Sequence, residues 1–341
     1  MKFSEERKQA IRAYILEKIA QKAPSVSQAV SEALEVDPST VHTYLNELAE
    51  EGIIRRVKRG EYELVSREFI YELSRSAGDL EDDIRVYERC LREHLAGFES
   101  NVQNIWSYAF SEMINNAMDH SMAENVRVTV SQDYTATRVT ISDDGVGIFE
   151  KIRDYFHFET LDEAICELFK GKLTTDSVNH SGEGIFFSSK LMDSFYIVSS
   201  GKIFTGSKFG DSRIDDLASA NEKGTTVIME LSNHTRKAAH EVFDAYASVD
   251  GGFTKTRIPM KQLFDSLPVS RSQAKRVCNR LEQFRGVIVD FDGIDWIGQG
   301  FAHQLFVVFA NSHPQIEITP VNMNESVENM YRHVTGPETL A

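Results

Sequence analysis

Cysteine is scarce in this chain. Cys90, Cys166 and Cys278 are the three among 341 residues, and each lies far from the others. That spacing suggests neither a disulfide framework nor a CxxC metal site, fits a reducing compartment, and leaves buried structural thiols as the expectation. Long apolar runs are missing too: no stretch approaches the ~18 residues that cross a bilayer. The first residues, Met-Lys-Phe-Ser-Glu-Glu-Arg, are charged where a signal peptide would need an apolar core. A cytoplasmic protein with no membrane association is the expectation. Positive charge is short: 37 Lys and Arg face 52 Asp and Glu, a net −15. That argues against whole-molecule binding to nucleic acid and leaves room for a local basic patch. The 41% hydrophobic content is ordinary for a globular chain, and the length allows two or three domains with real cores.

Residues 1–65 read as a small helical domain. Ile11, Ile15, Leu16 and Ile19 follow helical spacing, and a Pro24-Ser25 break precedes a short second helix over Ser27–Leu34. Asp37-Pro38 starts a third, with Asp as N-cap and Pro at the first position, running to Glu51 and stopping at Gly52. Val41, Leu45 and Leu48 form its buried face; Ser39, Thr40, His42, Thr43 and Asn46 form its outer face. Ile53–Val65 then gives two short strands about a Lys-Arg-Gly turn. Three helices and a basic hairpin, above all LNELAEEGIIRRVKRGEYEL, resemble the winged helix-turn-helix of bacterial transcription regulators. The resemblance implies that the third helix, with Thr40 and Thr43, enters a major groove, and that Arg55, Arg56, Lys58 and Arg59 of the wing meet phosphate. Against DNA stand ten Lys/Arg to eleven Asp/Glu in this segment and two carboxylates, Glu47 and Glu50, on the third helix. The alternative is a protein-binding winged helix. Residues 66–100 read as a charged helical connector with one apolar stripe, Ile84, Tyr87, Leu91 and Leu95.

The centre of the chain is the helix over residues 104–121. Ile105, Ala109, Met113 and Ala117 face a core, and Glu112, Asn116 and His120, four apart, make one polar stripe flanked by Asn115 and Asp119. A carboxylate, an amide and an imidazole on one face suit a metal-bound phosphate and a proton acceptor. Two alternating strands follow, Asn125–Val130 and Thr137–Ser142, ending in Asp143-Asp144-Gly145-Val146-Gly147. Gly182-Glu183-Gly184 then opens a helix through Leu191, and Gly224-Thr225 starts a strand. Backbone amides at a helix start receive phosphate. Each piece alone reads as a turn. Together, ExxxNAxxH, DxGxG, GxG and GT in order over 101–235 resemble the GHKL superfamily of gyrase, the heat-shock chaperone ATPase, histidine kinases and mismatch-repair ATPases. The first motif is most similar to that of anti-sigma-factor serine kinases. The resemblance implies an α/β sandwich, with a mixed sheet and helices on one face, that binds ATP and Mg2+. Matched by motif, Asn116 holds Mg2+, Glu112 is the general base, Asp143 accepts the adenine amino group, Gly145 and Gly147 shape the adenine pocket, Gly182 and Gly184 cradle phosphate, and Thr225 supports adenine through water. Residues 149–181 are then the lid, whose Lys170, Lys172, Thr174 and Thr175 are candidates for the γ-phosphate. Gly171-Lys172-Leu173-Thr174 is not a P-loop, since Lys is not followed directly by Ser or Thr.

Residues 253–341 alternate helix and strand and imply a mixed sheet covered by helices. An amphipathic helix over Arg271–Phe284 capped by Ser270, a buried strand over Gly286–Phe291, an apolar helix over Gly298–Ala310, a strand over Gln315–Thr319 and a helix over Glu325–His333 are expected. VIVDFDGIDWIGQGFAHQLFVVF resembles the STAS-like relatives of anti-sigma-factor antagonists. Those proteins carry a phosphorylatable serine where this chain has Ile297-Gly298-Gln299-Gly300. The Asp290, Asp292 and Asp295 cluster reads as a solvated loop before it reads as a metal site. In sum the sequence points to an α+β multidomain chain: winged helix, GHKL sandwich and STAS-like α/β unit. Three functions fit. One is a slow Mg2+-dependent ATPase whose nucleotide state controls DNA binding and binding of a partner protein. The second is a serine/threonine kinase acting on a separate partner, and the third a nucleotide-bound scaffold without turnover. A homodimer is expected from the families resembled.

Overall fold

The computed structural model describes residues 4–173, 182–206, 223–247, 252–264 and 267–336. The first unit packs α1 (Glu5–Ala20), α2 (Val26–Leu34) and α3 (Pro38–Glu50) against a hairpin of β1 (Ile54–Lys58) and β2 (Glu61–Leu64). Asp37 caps α3 by accepting from the Ser39 amide at 2.8 Å. Ile11, Ile15, Val30, Val41, Leu45 and Leu48, all buried, form a core of their own under these elements.

The central sheet has the order β3-β4-β5-β8-β6-β7, from β3 (Arg67–Ser74), β4 (Asn125–Gln132), β5 (Ala136–Asp143), β6 (Ser194–Ser199), β7 (Lys202–Thr205) and β8 (Thr225–Ser232). Every pairing described is antiparallel, which corrects the expected mixed sheet. β3 also corrects the helical connector. Its residues alternate, Phe69, Tyr71 and Leu73 inward and Glu68, Ile70 and Glu72 outward, and it pairs with β4 from Arg67↔Gln132 to Ser74↔Asn125. Helix appears only at α4 (Asp83–Tyr87), which runs through a π-helical turn to Leu95.

Across the sheet lies α5 (Ser100–Asn115), with Val102, Ile105, Trp106, Ala109, Phe110 and Met113 buried against Val126, Val128 and Val130 of β4. α5 continues into a π-helical turn, Asn116–His120. Such turns re-aim side chains and recur at functional sites. The remaining helices of this unit are α6 (Ile148–Phe156), α7 (Leu161–Lys170) and α8 (Gly184–Leu191).

After α9 (Ala239–Tyr246) comes a second sheet, order β11-β10-β9, of β9 (Lys255–Pro259), β10 (Gly286–Asp290) and β11 (Glu317–Val321). Both pairings are parallel, so the expected mixed sheet is corrected again, and β9 is a strand that the sequence reading lacked. Around it lie α10 (Arg271–Cys278), with a capping box from Ser270 and Gln273, α11 (Gln299–His303, continuing in helix to Ser312) and α12 (Glu325–Thr335). α10 ends at Cys278 rather than reaching Phe284, because Arg280 takes a left-handed conformation, φ 58°. Phe186 and Phe187 of α8 belong to this second core with Phe253, Val287 and Phe301. The two units therefore share α8. No helix among the described residues is long and apolar enough to cross a membrane.

Candidate nucleotide site

A cavity of about 440 Å³ opens between α5, the sheet and α6 to α8. The polar stripe read from the sequence lines it: Glu112, Asn116 and His120, with Asn115 and Asp119 beside them. Asp143, Thr225, Gly182 and Gly184 line it as well, together with Ile141, Ile197 and Val227 from the sheet. Four motifs spread over more than a hundred residues thus meet at one hollow. Gly145 and Gly147 are not in its wall; they sit behind it. A Cβ at Gly145 would lie 2.1 Å from the Ser121 carbonyl oxygen, and one at Gly147 2.6 Å from Ser199 Oγ. The turn closes that tightly on the end of α5, where the Val146 amide donates to the Ser121 carbonyl at 2.6 Å.

The two adjacent aspartates do different work. Asp144 is structural: it accepts from the Glu124 and Asn125 amides at 3.0 Å each and from the Asn125 side chain at 2.7 Å. Asp143 accepts from the Gly145 amide at 3.0 Å and faces the cavity. Burial pushes its carboxyl up to about 6, only partly offset by the Gly145 and Thr225 amides. Thr225 Oγ1 accepts from the Ile148 amide at 3.0 Å and so ties β8 to the start of α6. Gly224 beside it, at φ 75°, passes where a Cβ would meet the Asp143 carbonyl oxygen at 2.0 Å.

At the other end the α5 stripe meets α8. A Cβ on Gly184 would lie 1.9 Å from Glu112 Oε2, so the Glu112 carboxylate rests against the first residue of a helix. Unsatisfied N–H groups gather there, and the helix dipole favours negative charge. Gly182, at φ 72°, is pressed against the backbone of Leu173, whose amide donates to the Gly182 carbonyl at 3.1 Å.

Lys151 also lines the cavity, from the second turn of α6, with Nζ donating to the His120 carbonyl at 2.7 Å. The sequence reading missed it. The signal was present: Lys151 lies three residues beyond Ile148 and beside Ile152, both of which line the cavity, so all three share one helix face. Two lid expectations are corrected. Lys170 is buried, with Nζ bonded to Glu167, Arg276 and Asn279, and Lys172 Nζ donates to the Gln283 carbonyl at 3.2 Å; both ammonium groups serve the second unit rather than the cavity. Thr174 and Thr175 lie outside the described residues. Asp290 accepts from the Arg257 guanidinium, the Asn322 side chain and the Asp292 amide.

In the first unit Thr43 is exposed and Thr40 partly so, both on α3, and Arg55, Arg56, Lys58 and Arg59 are exposed on the hairpin. Arg55 pairs with Glu63 and Lys58 with Glu61 across the hairpin. Glu47 and Glu51 are tied to Arg12 of α1, which draws Glu47 back from the outer face of α3.

A helix-backed antiparallel sheet thus encloses one cavity, with a carboxylate at a strand end and glycines at a helix start around it. Residues 102–235 match the family described as histidine kinase-, DNA gyrase B-, and HSP90-like ATPase, and they are a domain of that kind. Residues 273–328 match the STAS-like domain of unknown function. A comparison with curated proteins finds no match.

Proposed function

We propose that this chain is a cytoplasmic ATP-dependent regulator. Its central domain is a slow Mg2+-dependent ATPase. The nucleotide state is passed to DNA through residues 1–65 and to a partner protein through the STAS-like unit, in a homodimer. One observation carries the reading: the Glu112 carboxylate is seated against Gly184 at the start of α8. This is a base placed where helix N–H groups would receive the terminal phosphate. At the opposite end Asp143 would accept the adenine amino group, with the sheet residues Ile141, Ile197 and Val227 against the ring. Asn116 would hold Mg2+, which neutralises charge on the phosphates; phosphate and water would complete its shell, since no cluster of three or more His, Cys, Asp or Glu stands together among the described residues.

For the first unit, the support is the outer face of α3, with Thr40 and Thr43, flanked by Arg56 and Arg59 of the hairpin and relieved of Glu47 by Arg12. A winged helix would then set α3 in a major groove and the hairpin on phosphate.

The second reading is a protein kinase, in which Glu112 deprotonates a partner hydroxyl instead of water. Both use the same cavity, so the fate of the γ-phosphate decides. Purified protein with γ-labelled Mg-ATP releases free phosphate if it is an ATPase. Label appearing on protein, only with a partner present, makes it a kinase. ATP bound with neither outcome, and with Glu112→Ala tolerated, leaves a scaffold and defeats both.

A further inference from the structure

The STAS-like unit is built onto the wall of the cavity. Lys170, the last residue of α7, is fully buried, and its ammonium has three acceptors: Glu167 Oε1 at 2.5 Å, the Asn279 carbonyl at 2.6 Å and the Arg276 carbonyl at 3.0 Å. The two carbonyls belong to the C-terminal turn of α10, where orphan carbonyls and the helix dipole favour a cation. Around this centre Arg280 pairs with Glu167 at 3.5 Å and stacks on Phe156 of α6, Arg276 pairs with Glu163 at 3.4 Å, and Thr256 of β9 donates to the Lys170 carbonyl at 2.7 Å. On the other side of the joint, Phe186 and Phe187 of α8 pack on Phe253, with ring centroids 4.8 and 5.0 Å apart. The elements gripped here are the ones that wall the cavity: Leu168 and Leu173 on and after α7, and Gly184 and Ile185 opening α8.

We propose that the STAS-like unit is a clamp in cis on α7 and α8, two walls of the cavity: its docking through Lys170 and the α8 phenylalanines builds the phosphate end of the cavity, so nucleotide binding and docking strengthen each other. The proposal rests on the reading of the cavity as an ATP site. Lys170 is a positioning residue, bonded to α10 and Glu167 and outside the lining of the cavity. Coupling of this kind is reciprocal, so the factor by which docking tightens ATP equals the factor by which ATP tightens docking.

Two cysteines report on the joint. Cys166 of α7 lines a second cavity of about 240 Å³ between α7 and α10, and Cys278 ends α10; both are buried, and Cys90 lies in the other core as a control. Maleimide labelling of the full-length chain, with the sites resolved by mass spectrometry, is measured with and without Mg-ATP and set beside ATP affinity from calorimetry. In the wild type, saturating Mg-ATP should slow labelling of Cys166 and Cys278 about tenfold and leave Cys90 unchanged. In Lys170→Met, both should label faster, and once the undocked form predominates the ATP Kd should rise toward the same tenfold by which ATP slows labelling in the wild type. Arg280→Ala, on the rim of the joint, should do so to a lesser degree and serves if Lys170→Met does not fold. A wild type labelled at one rate with and without bound ATP overturns the clamp. So does a variant whose joint is open in most molecules, its cysteines labelling at the rate of exposed thiols, with unchanged ATP affinity. A wild type that binds no ATP overturns the site reading itself, and the clamp with it.

Discussion

One added carbon at Gly184 should stop turnover and spare nucleotide binding. A Cβ at this position would sit 1.9 Å from Glu112 Oε2 and 2.7 Å from its Cδ. Ordinary contact between such atoms is about 3.5 Å, so the carboxylate must retreat by ~1.5 Å. Misplacing a reacting group by about 1 Å costs on the order of 100-fold in rate, ~2.7 kcal/mol of barrier. Gly184 is the first residue of α8 and its φ is not in the left-handed region, so the helix backbone accepts Ala there. The end of the cavity proposed for adenine, at Asp143 and Thr225, is untouched by the change. Gly184→Ala should therefore lower kcat for phosphate release about 100-fold with ADP affinity within about threefold of wild type, which ADP titration establishes on the same sample. Because the effect runs through Glu112, the double variant with Glu112→Ala should be no slower than Glu112→Ala alone. Near wild-type turnover in Gly184→Ala would refute the placement of the base, and so would a double variant slower by the product of both factors.

Other outcomes follow from the same structure. The Asp143 carboxyl is pushed above its ordinary range to about 6, so its contribution to stability is present in full below pH ~4 and is lost as pH rises through 6. At pH 7.5 the unliganded chain carries a strain of up to ~3 kcal/mol at this carboxylate; Asp143→Asn should melt higher than wild type there yet bind ATP more weakly. Wild-type ATP affinity should fall on acidification below pH 6, and a flat titration from pH 8 to pH 5 contradicts the adenine assignment. Replacing Arg55, Arg56, Lys58 and Arg59 together with Ala should weaken DNA binding and reduce its log–log salt slope by up to ~3.6; unchanged affinity in a mobility-shift series removes the DNA reading. Light scattering should give a dimer mass, and a monomer both with and without ATP refutes it.

The sequence exposes what is local and periodic. The α5 stripe was legible because one 3.6-residue period separates Ile105, Ala109 and Met113 from Glu112, Asn116 and His120, and the caps at Asp37 and Ser270 were legible because each acts within three residues. Strand β3 was passed over although Phe69, Tyr71 and Leu73 alternate, because the exposed Ile70 breaks the polar face between Glu68 and Glu72 and its partner β4 begins fifty residues later. β9 is five residues long, and only pairing with β10, some thirty residues on, makes it a strand. The lid lysines misled for the same reason. Lys170 and Lys172 stand close in sequence to the phosphate glycines, but which way they point is settled by α10 and Gln283, more than a hundred residues away. Proximity to a motif sets the reach of a side chain; the unit packed against it sets the direction.

The account turns on Glu112 as a working base. Phosphate release from Mg-ATP, measured with ATP affinity for wild type and Glu112→Ala side by side, tests it most directly. The expected result is slow release by the wild type that disappears in Glu112→Ala, by 100-fold or more on the scale of a lost general base, while the variant still binds ATP. Equal release by both proteins, or none from a wild type that binds ATP, would contradict it.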